Sequence, residues 1–61
     1  MDHLTKLEEM LDQANLEIKN GKYENASNIL EKIIDIDPNF GKAYNHLGYL
    51  YEVKFKEYEI Y

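Results

Sequence analysis

Two breaks, Asn20-Gly21 and Asp37-Pro38, cut this 61-residue chain into three stretches, and each stretch repeats its apolar residues at the spacing of an α-helix. In the first, Leu4, Leu7, Leu11, Ala14 and Ile18 recur at steps of three and four, which puts them on one helical face. Thr5 with Glu8 has the form of a capping box, Asp2 is a competing cap, and Asn20-Gly21 supplies a residue that tolerates the left-handed backbone ending a helix. A helix over about 3–20 follows. Ala26, Ile29, Leu30, Ile33 and Ile34 predict a second over about 23–36, which stops because the residue before a proline is pushed out of the helical region. The short link between the two forces an antiparallel hairpin.

Asn39 is the expected cap of a third helix. Phe40, Tyr44, Leu47, Tyr51, Phe55, Tyr58 and Tyr61 then run to the end at helical steps. Their stripe crosses residues 51–58, Tyr-Glu-Val-Lys-Phe-Lys-Glu-Tyr, where no Gly, Pro, Asn or Asp offers a turn. The fold expected is all-α and a single domain over 1–61: a hairpin plus a long third helix over about 40–61. At 1.5 Å rise per residue that helix is roughly 30 Å long, and its far end has no intrachain neighbour.

A chain this short buries only about 60% of its unfolded surface. It has no Cys, and its two His are far apart, so neither disulfides nor a metal is expected to reinforce the core. Seven Lys, no Arg and twelve acidic residues give a net charge of -5, which repels nucleic-acid backbones and anionic membranes. No apolar run reaches the ~20 residues of a membrane span, and Met1-Asp2-His3-Leu4 lacks the basic and apolar regions of a signal peptide. A cytoplasmic location, with neither nucleic acid nor membrane as partner, is the expectation.

Tyr44-x-x-Leu47-Gly48-x-x-Tyr51 resembles the signature of the tetratricopeptide repeat, with Tyr in place of the usual Trp. Ala14, Gly21, Tyr23, Ala26, Leu30 and Pro38 are similar to the small, turn, aromatic, small, large and Pro positions of a preceding repeat, and Ala14 and Gly48 lie 34 residues apart, the family period. The resemblance implies a first repeat over 1–39 and the first helix of a second over 40–61, with Ala14, Ala26 and Gly48 where helices cross closely. Met10, Gln13 and Glu17 depart from the expected aromatic, Leu and Tyr, Lys22 replaces a common capping Asp, and Phe55 stands where the turn Gly belongs. A rival alignment pairs Tyr58-Glu59 with Tyr23-Glu24 and keeps a turn near Lys54 to Lys56. A straight helix is favoured, since no Gly is there to take a positive φ.

Catalytic chemistry finds little material. His3 and His46 lack the Ser, Cys or carboxylate partners of a nucleophilic site, and only Ser27 and Thr5 carry aliphatic hydroxyls. Asp35, Asp37, Asn39 and Gly41 faintly resemble the start of a calcium loop, but Phe40 takes its invariant Gly position, Pro38 intervenes, and His46 stands where the bidentate Glu is needed. No cofactor is expected, and Glu8, Glu9, Asp12 and Glu17 read as a solvated face with Glu8 and Asp12 in unfavourable i, i+4 proximity.

Interaction chemistry finds more. Tyr44, Leu47, Tyr51, Phe55 and Tyr58 form an apolar stripe larger than a soluble monomer ordinarily exposes, which predicts self-association, as a domain-swapped or paired homodimer or a higher oligomer. Resemblance to the repeat family implies a second face, a groove for an extended peptide or partner protein, at Leu11, Asn15, Lys19, Lys42, Asn45 and Tyr49, flanked by Glu8, Ile18 and Glu52. A clamp for a C-terminal carboxylate is not supported, because Leu11 and His46 occupy two of its positions. Two readings of function stay open: a non-enzymatic interaction module that assembles through its third helix, or a structural or engineered fragment of a longer array with no ligand site of its own.

Overall fold

Gly21 adopts φ +77°, the left-handed conformation that only glycine takes without strain, and around it the first helix closes in a Schellman turn. The Gly21 N–H donates to the Ile18 carbonyl at 3.0 Å and the Lys22 N–H to the Glu17 carbonyl at 2.8 Å. This computed structural model describes the backbone of residues 3–59 and the side chains of residues 5–56. The helix that ends there, α1, spans His3–Lys19, and the next, α2, spans Tyr23–Ile36. Because α1 has begun by His3, Thr5 lies within its first turn and does not cap it.

Lys22 precedes α2 and makes no side-chain cap bond, as expected of a residue that offers only donors. At the other end Asp37 is extended, with φ -140° and ψ 93°, as its position before Pro38 requires. The linker is held locally. The Asn39 N–H donates to Asp37 Oδ1 at 3.0 Å, and the Phe40 N–H to the Asp37 carbonyl at 3.1 Å. Asn39 is therefore part of an Asx turn and is not the cap of the third helix, which begins two residues later. One carboxylate oxygen of Asp37 is engaged by that N–H.

The third helix, α3, spans Gly41–Glu59 without interruption through Lys54 to Lys56. No positive φ occurs among the described residues other than at Gly21. The architecture is thus three helices in two layers, with α2 packed against both α1 and α3. Leu7, Leu11, Ala14 and Ile18 of α1, Ala26, Leu30 and Ile33 of α2, and Phe40, Ala43 and Leu50 at the start of and along α3 form one core. Ala14 and Ala26 are both 0% exposed, so two methyl-sized residues let α1 and α2 approach closely, as their small size predicts.

One expectation fails at Gly48. A Cβ added there would meet nothing within 4 Å. Among the described residues Gly48 marks no helix crossing, because α2 packs on the neighbouring stripe of α3. That stripe is Phe40, Ala43, Leu47 and Leu50, with Leu47 half-buried at its edge.

Candidate functional site

Burial on α3 sorts its apolar residues onto two adjacent faces. Phe40, Ala43 and Leu50 are sealed into the core, Leu50 at 1% exposure. Turned by one residue, roughly 100° around the helix, Tyr44, Tyr51 and Phe55 are 49%, 55% and 64% exposed. The stripe expected for self-association therefore divides: Leu47 sits half-buried against the core, Tyr44, Tyr51 and Phe55 face outward, and the Tyr58 side chain lies outside the described residues. Sequence reasoning passed over Ala43 and Leu50. Their signal was present, since Phe40, Ala43, Leu47 and Leu50 step by three, four and three, but the aromatic run beside them is louder.

Tyr44 is exposed yet anchored, its hydroxyl donating to the Pro38 carbonyl at 3.1 Å, which ties the linker to the first turn of α3. His46 Nδ1 lies 2.9 Å from the Lys42 carbonyl, one turn back along the same helix. That contact engages the ring locally.

The second face is built by α1 and α3. Lys42 Nζ and Glu8 Oε2 meet at 3.0 Å across 34 residues of sequence, joining α1 to α3. Both side chains are well exposed, and a pair of this kind stabilises by about 0–1 kcal/mol. It also engages the Glu8 carboxylate that sequence alone set against Asp12. Asn15 is half-buried, while Lys19, Asn45 and Tyr49 are exposed. Leu11 and Ile18 are in the core, at 8% and 3% exposure, and offer a peptide a floor at most. Their burial follows from α1 using Leu7, Leu11, Ala14 and Ile18 as its packing stripe.

Where the family pattern departs in α1, Gln13 and Glu17 bond to each other, Nε2 to Oε2 at 2.8 Å. Glu17 Oε1 is closed off from solvent with no hydrogen-bond partner among the described residues, a locally unfavourable arrangement. Near the α1–α2 turn, Lys54 of α3 joins Gly21, Lys22, Tyr23, Glu24 and Asn25 around an open, polar hollow. Among the described residues no three His, Asp or Glu side chains converge as metal ligands. No helix there is long and apolar enough to cross a membrane.

A helical hairpin joined through an Asp-Pro linker to a further helix, with a 34-residue relation between its first and third helices, defines a helical-repeat protein of the kind that mediates protein interactions. The chain belongs to the tetratricopeptide repeat family, whose model matches residues 10–40. The match takes in most of α1, the Gly21 turn, α2 and the Asp37-Pro38 linker. No curated protein and no solved structure matches the chain.

Proposed function

We propose that this chain is a non-enzymatic recognition module, one tetratricopeptide repeat over residues 1–39 and the first helix of a second over 40–61. It self-associates through α3 and receives an extended peptide or partner protein on the face shared by α1 and α3. The observation that carries the reading is the exposure of Tyr44, Tyr51 and Phe55 on one side of a helix whose other side is core. Large apolar surface of this kind is covered in stable assemblies. Asn15, Asn45 and Tyr49 suit a peptide main chain, offering amide donors and acceptors beside a flat ring, and the net charge of -5 argues against a nucleic-acid ligand.

Sedimentation of the chain from about 5 μM to about 1 mM tests self-association, across the range where weak dimers form. A concentration-dependent shift from one copy to two is expected, and Tyr51→Ala with Phe55→Ala should suppress it. A single-copy species at every concentration overturns this part of the proposal. The second reading, a segment of a longer array whose next helix takes the same face, is favoured by the 34-residue spacing of Ala14 and Gly48. On that reading the chain stays monomeric alone.

A further inference from the structure

We propose that α3 carries a seam for antiparallel self-pairing, in which each copy lodges its Tyr51 against the partner's Gly48 across a two-fold axis. The proposal rests on self-association through α3 and specifies its geometry. Gly41, Tyr44, Gly48, Tyr51 and Phe55 step by three, four, three and four residues and are all exposed. That is the spacing of a two-helix seam. One period earlier, Leu7, Met10, Ala14 and Glu17 occupy the matching positions of α1, and there Leu7 and Ala14 are buried under α2. The repeat thus presents on α3 a face that in α1 accepts a helix.

Gly48 is the second indication. Glycine is a poorer helix former than alanine, and among the described residues nothing within 4 Å of a Cβ at Gly48 requires its absence. A helix packed closely on this face would require a small residue there. Charge favours a second copy as that molecule. Residues 41–59 carry Lys42, Lys54 and Lys56 against Glu52, Glu57 and Glu59 and are net neutral, so the whole -5 lies on residues 1–40. Two copies can join through α3 without repulsion, whereas contact through their acidic hairpins is opposed.

The alternation of small and large residues sets the direction. A parallel, in-register pair stacks glycine on glycine and Tyr51 on Tyr51, leaving gaps and crowding in turn. Run antiparallel with Tyr51 opposite Gly48, the seam matches large to small. Tyr44 then meets Phe55, and Asn45 comes beside the partner's Glu52, an amide facing a carboxylate with no like charges opposed. Three half-exposed aromatics at ~200 Å² each give roughly 300 Å² per copy. With flanking residues the pair buries about 1,000 Å², the low edge of specific interfaces, so a weak, concentration-dependent dimer is expected.

The test measures association of the 61-residue chain and of Gly48→Gln by sedimentation, with helix content read by circular dichroism at dilution. Gly48→Gln should raise the dissociation constant at least about tenfold while helix content rises, because Gln is the better helix former; that rise shows the variant is folded. Orientation is read separately from spin labels on Lys42→Cys and Lys56→Cys in this otherwise cysteine-free chain. A mixture of the two should give a short distance, with each same-site pair offset by roughly 20 Å along the axis at 1.5 Å per residue. A chain that stays monomeric to about 1 mM overturns self-association itself. A dimer unaffected by Gly48→Gln, or with short same-site distances, overturns the antiparallel seam and leaves self-association standing.

Discussion

Lys22 occupies the position ahead of α2 where a side-chain oxygen ordinarily accepts a hydrogen bond from the first turn, and it makes no such bond. Its ammonium is also poorly placed beside the positive end of the α2 dipole. Lys22→Asp should therefore raise stability by about 1 kcal/mol, measured as a higher urea midpoint at unchanged slope, and an unchanged or lower midpoint would show the site cannot accept a cap. This defect was legible through the family resemblance, in which Lys22 replaces a common capping Asp, and no lysine can accept a hydrogen bond. The Gly21 turn was legible as well, where Asn20-Gly21 offered a residue able to take positive φ. The Glu17 environment was not legible. A glutamate on a face with three other acids reads as solvated, and only the packing of α1 closes Oε1 off from water. Likewise Glu8 appeared in conflict with Asp12, four residues away, while its partner Lys42 lies 34 residues away and is brought near by the repeat itself.

At the scale of the element, α1 and α2 were readable because each has one apolar stripe and a chemical stop at its end. The third helix was readable in its continuity, since nothing in residues 51–58 can reverse the chain, but not in rotation; its expected end at residues 60–61 lies outside the described residues. It has two apolar stripes side by side, and periodicity assigns them equal rank. The structure separates them: Leu50 is buried under α2 while Tyr51 is more than half exposed. Truncation should expose this difference. Leu50→Ala opens a cavity and should cost about 2–4 kcal/mol, a large part of the 3–9 kcal/mol expected for a domain of this size. Tyr51→Ala, measured at low concentration where copies are apart, should fall within about 0.5 kcal/mol of the parent. Urea titrations at a few micromolar check the pair, and equal losses would mean that the two faces of α3 are assigned wrongly. The residues that family analogy assigns to a groove divide for a related reason: α1 packs through Leu11 and Ile18, so those two are buried, while Asn15 is half-buried and Asn45 and Tyr49 are exposed.

The whole molecule is a thin body, with principal extents of 46, 19 and 13 Å over its Cα atoms. A body this thin has core on one side of each helix and cannot surround α3, which is why aromatic residues remain in water despite a complete α1–α2 interface. Such a chain gains stability from anything that covers that side, because a partner binding the folded state alone shifts the folding equilibrium by mass action. If the covering molecule is a second copy, folding and pairing are linked, and the thermal midpoint depends on protein concentration. Each tenfold increase above the dissociation constant adds at most about 1.4 kcal/mol per mole of dimer, half of that per chain. For a domain of this size 1 kcal/mol moves the midpoint by roughly 4–8 °C, so a rise of about 3–5 °C per decade is expected. Dichroism melts at micromolar concentration and calorimetry near millimolar span the range. Tyr51→Ala should flatten the dependence, since it removes the seam and little from the monomer, whereas Lys22→Asp should raise the midpoint equally at every concentration. A parent chain whose midpoint is constant across the range would mean that α3 is left uncovered in this molecule on its own. Its aromatic face would then await a helix from a different source.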